Sequence, residues 1–465
     1  MYKENVVTEN EKKLLEDPDL FFEMEKKYDL FSLRTDGDIP LWDIFRSEVW
    51  NFVIYKEDLK SKSVAPIGRV QNLITMVKRY LSLFKIFSKK DYFFFGVSRF
   101  VDSKKMYYDP YLESIKPIIG NNYTLYETVL NKSAYRDTGI YNISLSLQKI
   151  LEPVYRKRAL RDLQIEPLAY IKKSITETYG YEVVSSEVLE NIFYKFKVHY
   201  LLYRQLFSIG KFKAIFLNQN GFQKGLIYAA KKKGVPVIEF QHADVIEFNV
   251  VWHYGTQPNS PEDLIFSDYF LTYSDFWNLQ NNIPTECVEI GTAIHNIREY
   301  YVEDSSVAVI STKEHEEDLN SLTLELAALY PDMKYKYKLH PAQYDAIQEY
   351  IDLFSGHRNI EVVPVDKSIS DLIADTQSFI VIYSSVIFEL LQAKKDVYIY
   401  KRQNYWFFRK FFGVTDVYQF GSPEEFYNQF TAIEKRDHSS LLDFYKPLNL
   451  DRLQSLLRNL KKIKD

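Results

Sequence analysis

The sequence predicts an α/β protein: two Rossmann-like domains facing a cleft, behind a helical N-terminal extension. Three observations carry this. The chain has 465 residues, more than one domain usually holds. Residues 213–240 read as strand, helix, strand, and such a unit builds a parallel sheet. From residue 307 to 400 strands and helices alternate regularly, the pattern of a doubly wound open sheet.

Residues 1–90 are the extension. They are polar, with apolar Leu14, Leu15, Leu20, Phe21 and Phe22 at helical spacing. Residues 70–90 differ: Leu73, Ile74, Val77, Leu81, Leu83, Phe84 and Phe87 alternate with Lys78, Arg79, Lys85, Lys89 and Lys90. A basic amphipathic helix of this kind either lies on an anionic membrane surface or packs on the next domain.

The first domain spans 91–300. Tyr92, Phe93, Phe94 and Phe95, closed by Gly96, suit a buried strand. A largely helical region follows, ending in a helix over 187–206. Strand 213–217, a polar turn at 218–221, helix 222–233 stopped by Gly234, and strand 235–240 come next. Two short strands, 270–273 and 287–290, complete it.

Residues 291–304 form the connection. The second domain, 301–465, has strands at 307–310, 335–339, 360–363, 379–383 and 397–400, with helices between them. It closes on a helix over 451–465 that carries Arg452, Arg458, Lys461, Lys462 and Lys464.

Composition bounds the function. Hydrophobic residues make up 46% and charged residues 26%, which is ordinary for a globular protein. The 37 Tyr and 33 Phe serve either as core filler or as stacking surface for bases and sugar rings. A net charge of -4 gives no polyanion signal, so nucleic acid is not an expected partner. Cys287 is the one cysteine, which rules out an intrachain disulfide and a cysteine metal cluster. Residues 1–16 lack the apolar core of a secretory signal, and no apolar run approaches the roughly 20 residues that span a bilayer. The expected location is cytoplasmic, with contact at most on the inner face of a membrane.

Ligands of open parallel sheets bind at the carboxyl ends of strands, near helix N-termini. Three clusters fall there. His340 ends the strand that holds Lys338, and Pro341 suits the first turn of the next helix. A histidine there either donates to a phosphate or caps the helix. Ser384 and Ser385 follow strand 379–383; they offer hydroxyls to an anion or serve as ordinary N-caps. His242, Asp244 and Glu247 follow strand 235–240, with His253 a little downstream. An imidazole titrating near neutral pH can take a proton from a hydroxyl, as can a desolvated carboxylate. A histidine bonded to loop backbone is the plainer alternative.

The pair His340-Pro341 followed by Ser384-Ser385 resembles the HP and serine elements of bacterial GT-B sialyltransferases, polysialyltransferases and Kdo transferases. It is also similar to the CDP-glycerol glycerophosphotransferases. Phe240-Gln241-His242-Ala243 resembles the strand-end Gln-His-Gly of capsule-type relatives, with Ala243 where Gly is usual. The resemblance covers residues 210–400 and implies a GT-B glycosyltransferase of surface or capsular polysaccharide synthesis. His340, Ser384 and Ser385 would hold the donor phosphate. The base would be His242, as in the glycerophosphotransferases, or Asp244 or Glu247, as in the carboxylate-using enzymes. The implied partners are a nucleotide sugar, a CMP-sugar first, and a glycan or lipid-linked acceptor. Transfer would invert the anomeric centre with no cofactor and no protein-bound metal. A glycerophosphotransferase, an epimerase-like enzyme acting on its donor alone, and a non-catalytic scaffold are the alternatives.

Other enzyme classes fit poorly. The two Asp-x-Asp matches, Asp17–Asp19 and Asp36–Asp38, lie in the polar N-terminal region rather than at a strand end. The P-loop, the Gly-x-Gly-x-x-Gly turn, the Gly-x-Ser-x-Gly elbow and His-Glu-x-x-His are all absent from the sequence.

Overall fold

The computed structural model describes residues 18–55, 77–98, 100–101, 106–129, 139–246, 249–255, 264–279, 282–295, 302, 305–402, 405–412, 416–432 and 443–464. The chain forms two compact units, 1–294 with 448–465, and 295–447.

The first unit holds strands β1 (Tyr92–Ser98), β2 (Phe100–Val101), β3 (Tyr107–Tyr108), β4 (Tyr123–Val129), β5 (Ile140–Tyr141), β6 (Ala214–Leu217), β7 (Val237–Phe240), β8 (Tyr269–Thr272) and β9 (Glu286–Glu289). Its helices include α1 (Pro18–Lys27), α2 (Leu41–Tyr55), α3 (Pro110–Ile119), α4 (Ser144–Ala159), α5 (Ile165–Tyr179), α6 (Ser186–Gly210) and α7 (Lys224–Lys232). Seven strands form one parallel sheet in the order β5-β4-β1-β6-β7-β8-β9, and β2 pairs antiparallel with β3. The region expected to be helical after β1 therefore supplies β4 and β5 as well as helices. In β4 the run Tyr123-Thr-Leu-Tyr-Glu-Thr-Val has the β-branched and aromatic residues that favour a pleated strand.

Side-chain alternation assigns the two faces of this sheet. Phe94, Phe216, Ile238, Phe240 and Leu271 meet Leu112 and Ile115 of α3 on one face. Phe93, Phe95, Ile215, Leu217 and Val237 meet α6 and α7 on the other. Helix α7 comes so close to α6 that a Cβ on Gly225 would lie 2.5 Å from the Cβ of His199.

Two expected boundaries move. Phe21, Phe22 and Met24 of α1 and Trp42, Phe45 and Val49 of α2 join the same core as the sheet, so the described part of the extension belongs to the first unit. The C-terminal helix, Leu450–Lys464, was expected with the second domain. It places Leu453, Leu456 and Leu457 on the α3 face of the first sheet instead.

The second unit is a six-stranded sheet of β10 (Val307–Ile310), β11 (Tyr335–Lys338), β12 (Ile360–Val362), β13 (Ser378–Val381), β14 (Asp396–Tyr400) and β15 (Val417–Phe420). The order is β12-β11-β10-β13-β14-β15, with every pairing parallel. Helices α8 (Glu316–Leu329), α9 (Ile347–Phe354), α10 (Ile369–Asp375) and α11 (Val386–Gln392) lie between successive strands from β10 to β14, the 3₁₀ segment Tyr405–Phe411 lies between β14 and β15, and α12 (Pro423–Thr431) follows β15. This is the doubly wound alternation the sequence predicts, extended by the edge strand β15. In both units the first strand has neighbours reached in opposite directions. The switch points therefore lie between β1 and β6 and between β10 and β13, where such sheets take ligands.

Candidate functional site

At the switch point of the first unit, Asp109 caps α3. Its Oδ1 accepts from the N–H groups of Tyr111 (3.0 Å) and Leu112 (3.2 Å), and its Oδ2 from Val97 N (3.0 Å). Asn218, just past β6, donates Nδ2 to the same Oδ2 at 2.8 Å. Burial pushes the Asp109 carboxyl up to about 6 even against these donors. A carboxylate only accepts, so the amide orientation of Asn218 is fixed. Its Oδ1 is buried without a hydrogen-bond partner among the described residues. Alongside, the Tyr111 and Tyr273 hydroxyls bond at 2.9 Å.

The loop leaving β7 carries His242 and Asp244. The His242 ring meets Trp252 edge-to-face, with centroids 5.2 Å apart. The Trp252 indole N–H donates to Glu239 Oε1 at 2.9 Å, and Ser267 and Asn220 donate to the same carboxyl group. Burial pushes Glu239 up to about 7 against the pull of those donors. A chain of contacts thus runs from a strand carboxyl through an indole to the candidate base. Asp244 is half-buried, and its carbonyl accepts from Asn249 Nδ2 at 3.0 Å. Glu247 lies outside the described residues.

His253 is turned into the fold: Nδ1 accepts from Asn282 N at 3.1 Å, and the ring meets Phe22 at 5.2 Å. The N-terminal helices fix this part of the loop. The Arg46 guanidinium pairs with Glu25 at 2.5 Å and donates to the carbonyls of Val250 and His253. Asp43 accepts from the Tyr254 hydroxyl at 2.7 Å and from Ile265 N at 2.6 Å.

In the second unit, His340 ends the turn after β11. Its Nδ1 accepts from Ala342 N at 3.1 Å, while its own N–H donates to Gln343 Oε1 at 2.9 Å. The capping alternative is therefore real, and it has a chemical consequence. With Nδ1 accepting, the ring proton sits on Nε2, which makes the exposed edge of the imidazole a donor. Pro341 occupies the first helical position. Lys338 points elsewhere: its ammonium donates to the carbonyls of Lys367 (2.6 Å) and Pro364 (3.3 Å), and burial lowers its pKa.

Ser384 Oγ accepts from Val386 N at 3.4 Å. Ser385 precedes α11 in helical conformation and is exposed, with no capping bond from its side chain.

Strand order puts β10 between β11 and β13, so His340 and Ser384-Ser385 flank the loop 311–315. That loop holds two buried polar atoms without hydrogen-bond partners among the described residues, Thr312 Oγ1 and His315 Nε2. Burial lowers the His315 pKa. Helix α8 begins directly after it with Glu316, Glu317 and Asp318. Gln343 donates to Glu316 at 3.1 Å and Arg402 pairs with Asp318 at 3.3 Å, which offsets part of that negative charge.

Asp109, Asn218, Glu239, Thr312 and His315 were not singled out from the sequence. Readable signals existed: an Asp-Pro helix start, a lone Glu in an apolar parallel strand, and a polar run after the first strand of an alternation.

No protein-family profile matches the sequence, and no curated protein does. Solved structures similar to this chain include UDP-GlcNAc 2-epimerase of Methanocaldococcus jannaschii in complex with UDP-GlcNAc and UDP, at 10% identity and a TM-score of 0.42 over 80% of this chain and 99% of that one. MurG of Acinetobacter baumannii is similar at 11% identity and 0.43, over 80% and 99%. A glycotransferase of kitacinnamycin is similar at 13% and 0.41, over 80% and 95%. Likeness at this level carries nothing about substrate or reaction.

Proposed function

We propose that the protein is a glycosyltransferase that moves a sugar from a nucleotide-activated donor to a glycan or lipid-linked acceptor in bacterial surface-polysaccharide synthesis. The observation that supports this best is the donor set at the strand ends of the second sheet. His340 offers Nε2–H, Thr312 and His315 bring buried polar atoms, and Ser384 and Ser385 bring hydroxyls. Such groups suit the phosphate oxygens of a nucleotide and stabilise charge that develops on a leaving phosphate. In this scheme the reaction needs no protein-held metal and inverts the anomeric centre. His242 is the base for the acceptor hydroxyl, with Asp244 and Glu247 as the carboxylate alternatives. Work at the inner face of a membrane would give access to lipid-linked acceptors.

Calorimetric titration with CMP, CDP, UDP and GDP tests the donor site and identifies the nucleotide, with CMP expected to bind most tightly. If none binds, the reading is wrong. Turnover that requires an acceptor separates a transferase from an epimerase-like enzyme or a scaffold. Titration with CDP-glycerol tests the glycerophosphotransferase alternative.

A further inference from the structure

We propose that the segment 77–90, with the outward face of α4, is a docking surface for an anionic lipid bilayer. This deepens the membrane part of the reading above and stands on its own geometry.

The segment turns helical over 77–82 and 3₁₀ over Leu83–Phe87. Its inner side is anchored. Ile86 is buried, Tyr80 and Leu83 pack on the first core, Ser82 Oγ accepts from Tyr141 N at 3.0 Å, and Lys85 Nζ donates to Gly139 O at 2.9 Å. The outer side is apolar. Val77, Leu81 and Phe84 follow helical spacing, and Phe87 stacks on Phe84 with centroids 6.2 Å apart. Phe84 is 66% exposed and Phe87 64%. Large aromatic side chains so open, in adjacent pairs, mark an interaction surface rather than scattered surface apolarity.

Helix α4 follows β5, the strand beside Ser82. Its inner side, Leu147, Leu151 and Tyr155, packs around Ala159, Tyr194 and Val198. Ile150 and Val154, one turn apart, face outward, and Val154 is 77% exposed.

Charge selects the occupant. Residues 77–90 contain five basic residues and no acidic one. Helix α4 ends in Arg156, Lys157 and Arg158, and its one acidic residue, Glu152, lies 3.5 Å from Arg156. Apolar rings framed by cations match the interface of a bilayer that carries anionic headgroups. Among the described residues no helix is long and apolar enough to cross a membrane, so the contact is superficial. The basic C-terminal helix cannot offer the same apolar face, because Leu453, Leu456 and Leu457 are buried on the first sheet.

Flotation of the full chain with vesicles of phosphatidylglycerol and phosphatidylcholine, against phosphatidylcholine alone, tests this. Salt-sensitive binding only to the anionic vesicles is expected. The double variant Phe84→Glu/Phe87→Glu should weaken it about tenfold to a hundredfold, while Leu329→Glu, on the second unit, leaves it unchanged. Circular dichroism and urea unfolding of the same variants show that they fold, and because neither readout needs a nucleotide, failure here stays distinct from failure of the glycosyltransferase reading. Three results would overturn the proposal: no flotation at low salt, undiminished flotation of the double variant, or a dimer in light scattering that the double variant dissolves. The last would make the patch a protein interface.

Discussion

Asn218 Nδ2 and Asp109 Oδ2, 2.8 Å apart, tie the ends of β6 and β1 together at the switch point of the first sheet. Gly96 makes the approach possible: a Cβ there would lie 3.2 Å from Asp109 Oδ2 and 3.0 Å from Leu125 Cδ1. Asp109→Ala would strand three backbone N–H groups and the Asn218 amide in a buried place. The expected cost is about 2–4 kcal/mol, combining a lost cap with unsatisfied donors. Urea unfolding measures it, and a loss below about 0.5 kcal/mol, the range of ordinary surface changes, would show that the anchor is dispensable.

The N-terminal helices hold the loop after β7 through a buried ion pair. Arg46→Met should cost about 3–5 kcal/mol, because it leaves the Glu25 carboxylate buried and unpaired. Glu25→Leu/Arg46→Met removes both charges and should cost clearly less than the sum of the single changes. Additive losses in the double-mutant cycle would mean that the pair carries no coupling.

What could be read from the sequence follows physical scale. The alternation of the second unit was visible because short runs rich in β-branched and aromatic residues recur there between segments of helical spacing, even where a strand carries charge, as in Tyr335-Lys-Tyr-Lys338. Strand β15 was not, since Val-Tyr-Gln-Phe at a sheet edge has no periodicity to distinguish it. Strand-end residues His340, Ser384 and His242 were legible because topology says where ligands sit. Thr312 and His315 were missed because burial of one polar atom is a tertiary fact. The tie between Arg46 and the carbonyls of Val250 and His253 joins residues about 200 positions apart, and no local pattern encodes it.

Glu239 should make stability depend on pH. Burial raises its folded pKa from 4.5 to about 7, so between those values the folded protein keeps a proton that the unfolded chain releases. Its contribution is full below pH 4.5 and is lost as pH rises through 7, a change of about 3 kcal/mol. Urea midpoints should fall over that window in the wild type. Glu239→Gln should flatten the slope whatever it does to absolute stability. An unchanged slope would place the titration elsewhere.

One substitution can separate the cap that His340 makes from the phosphate contact proposed for it. Asparagine at an N-cap keeps an acceptor for Ala342 N, so His340→Asn should preserve the turn. It has no group equivalent to Nε2–H at the same reach. Nucleotide affinity should fall about tenfold, the worth of one hydrogen bond to a charged oxygen, with the melting temperature nearly constant. Equal affinity in wild type and His340→Asn would assign the histidine to capping alone.

The base assignment makes the opposite demand on His242. Its ring rests against Trp252, which Glu239 holds, so the imidazole is positioned by a buried carboxyl two contacts away. A general base typically contributes about a hundredfold to ten-thousandfold to turnover. His242→Ala should therefore lower kcat by that order while nucleotide affinity stays near normal, the reverse of the pattern at His340. Trp252→Phe keeps an aromatic face but loses the N–H, so it should lower kcat less and leave the pH profile in place. Turnover should also survive EDTA, because the hydrogen-bond donors of the second unit are assigned the leaving-group charge. Loss with EDTA and recovery with a divalent ion would end the metal-free scheme without touching the base. Near-normal turnover in His242→Ala would move the base to Asp244 or Glu247, which Asp244→Asn and Glu247→Gln, measured side by side, would distinguish, or into residues 1–200 if neither change lowers kcat.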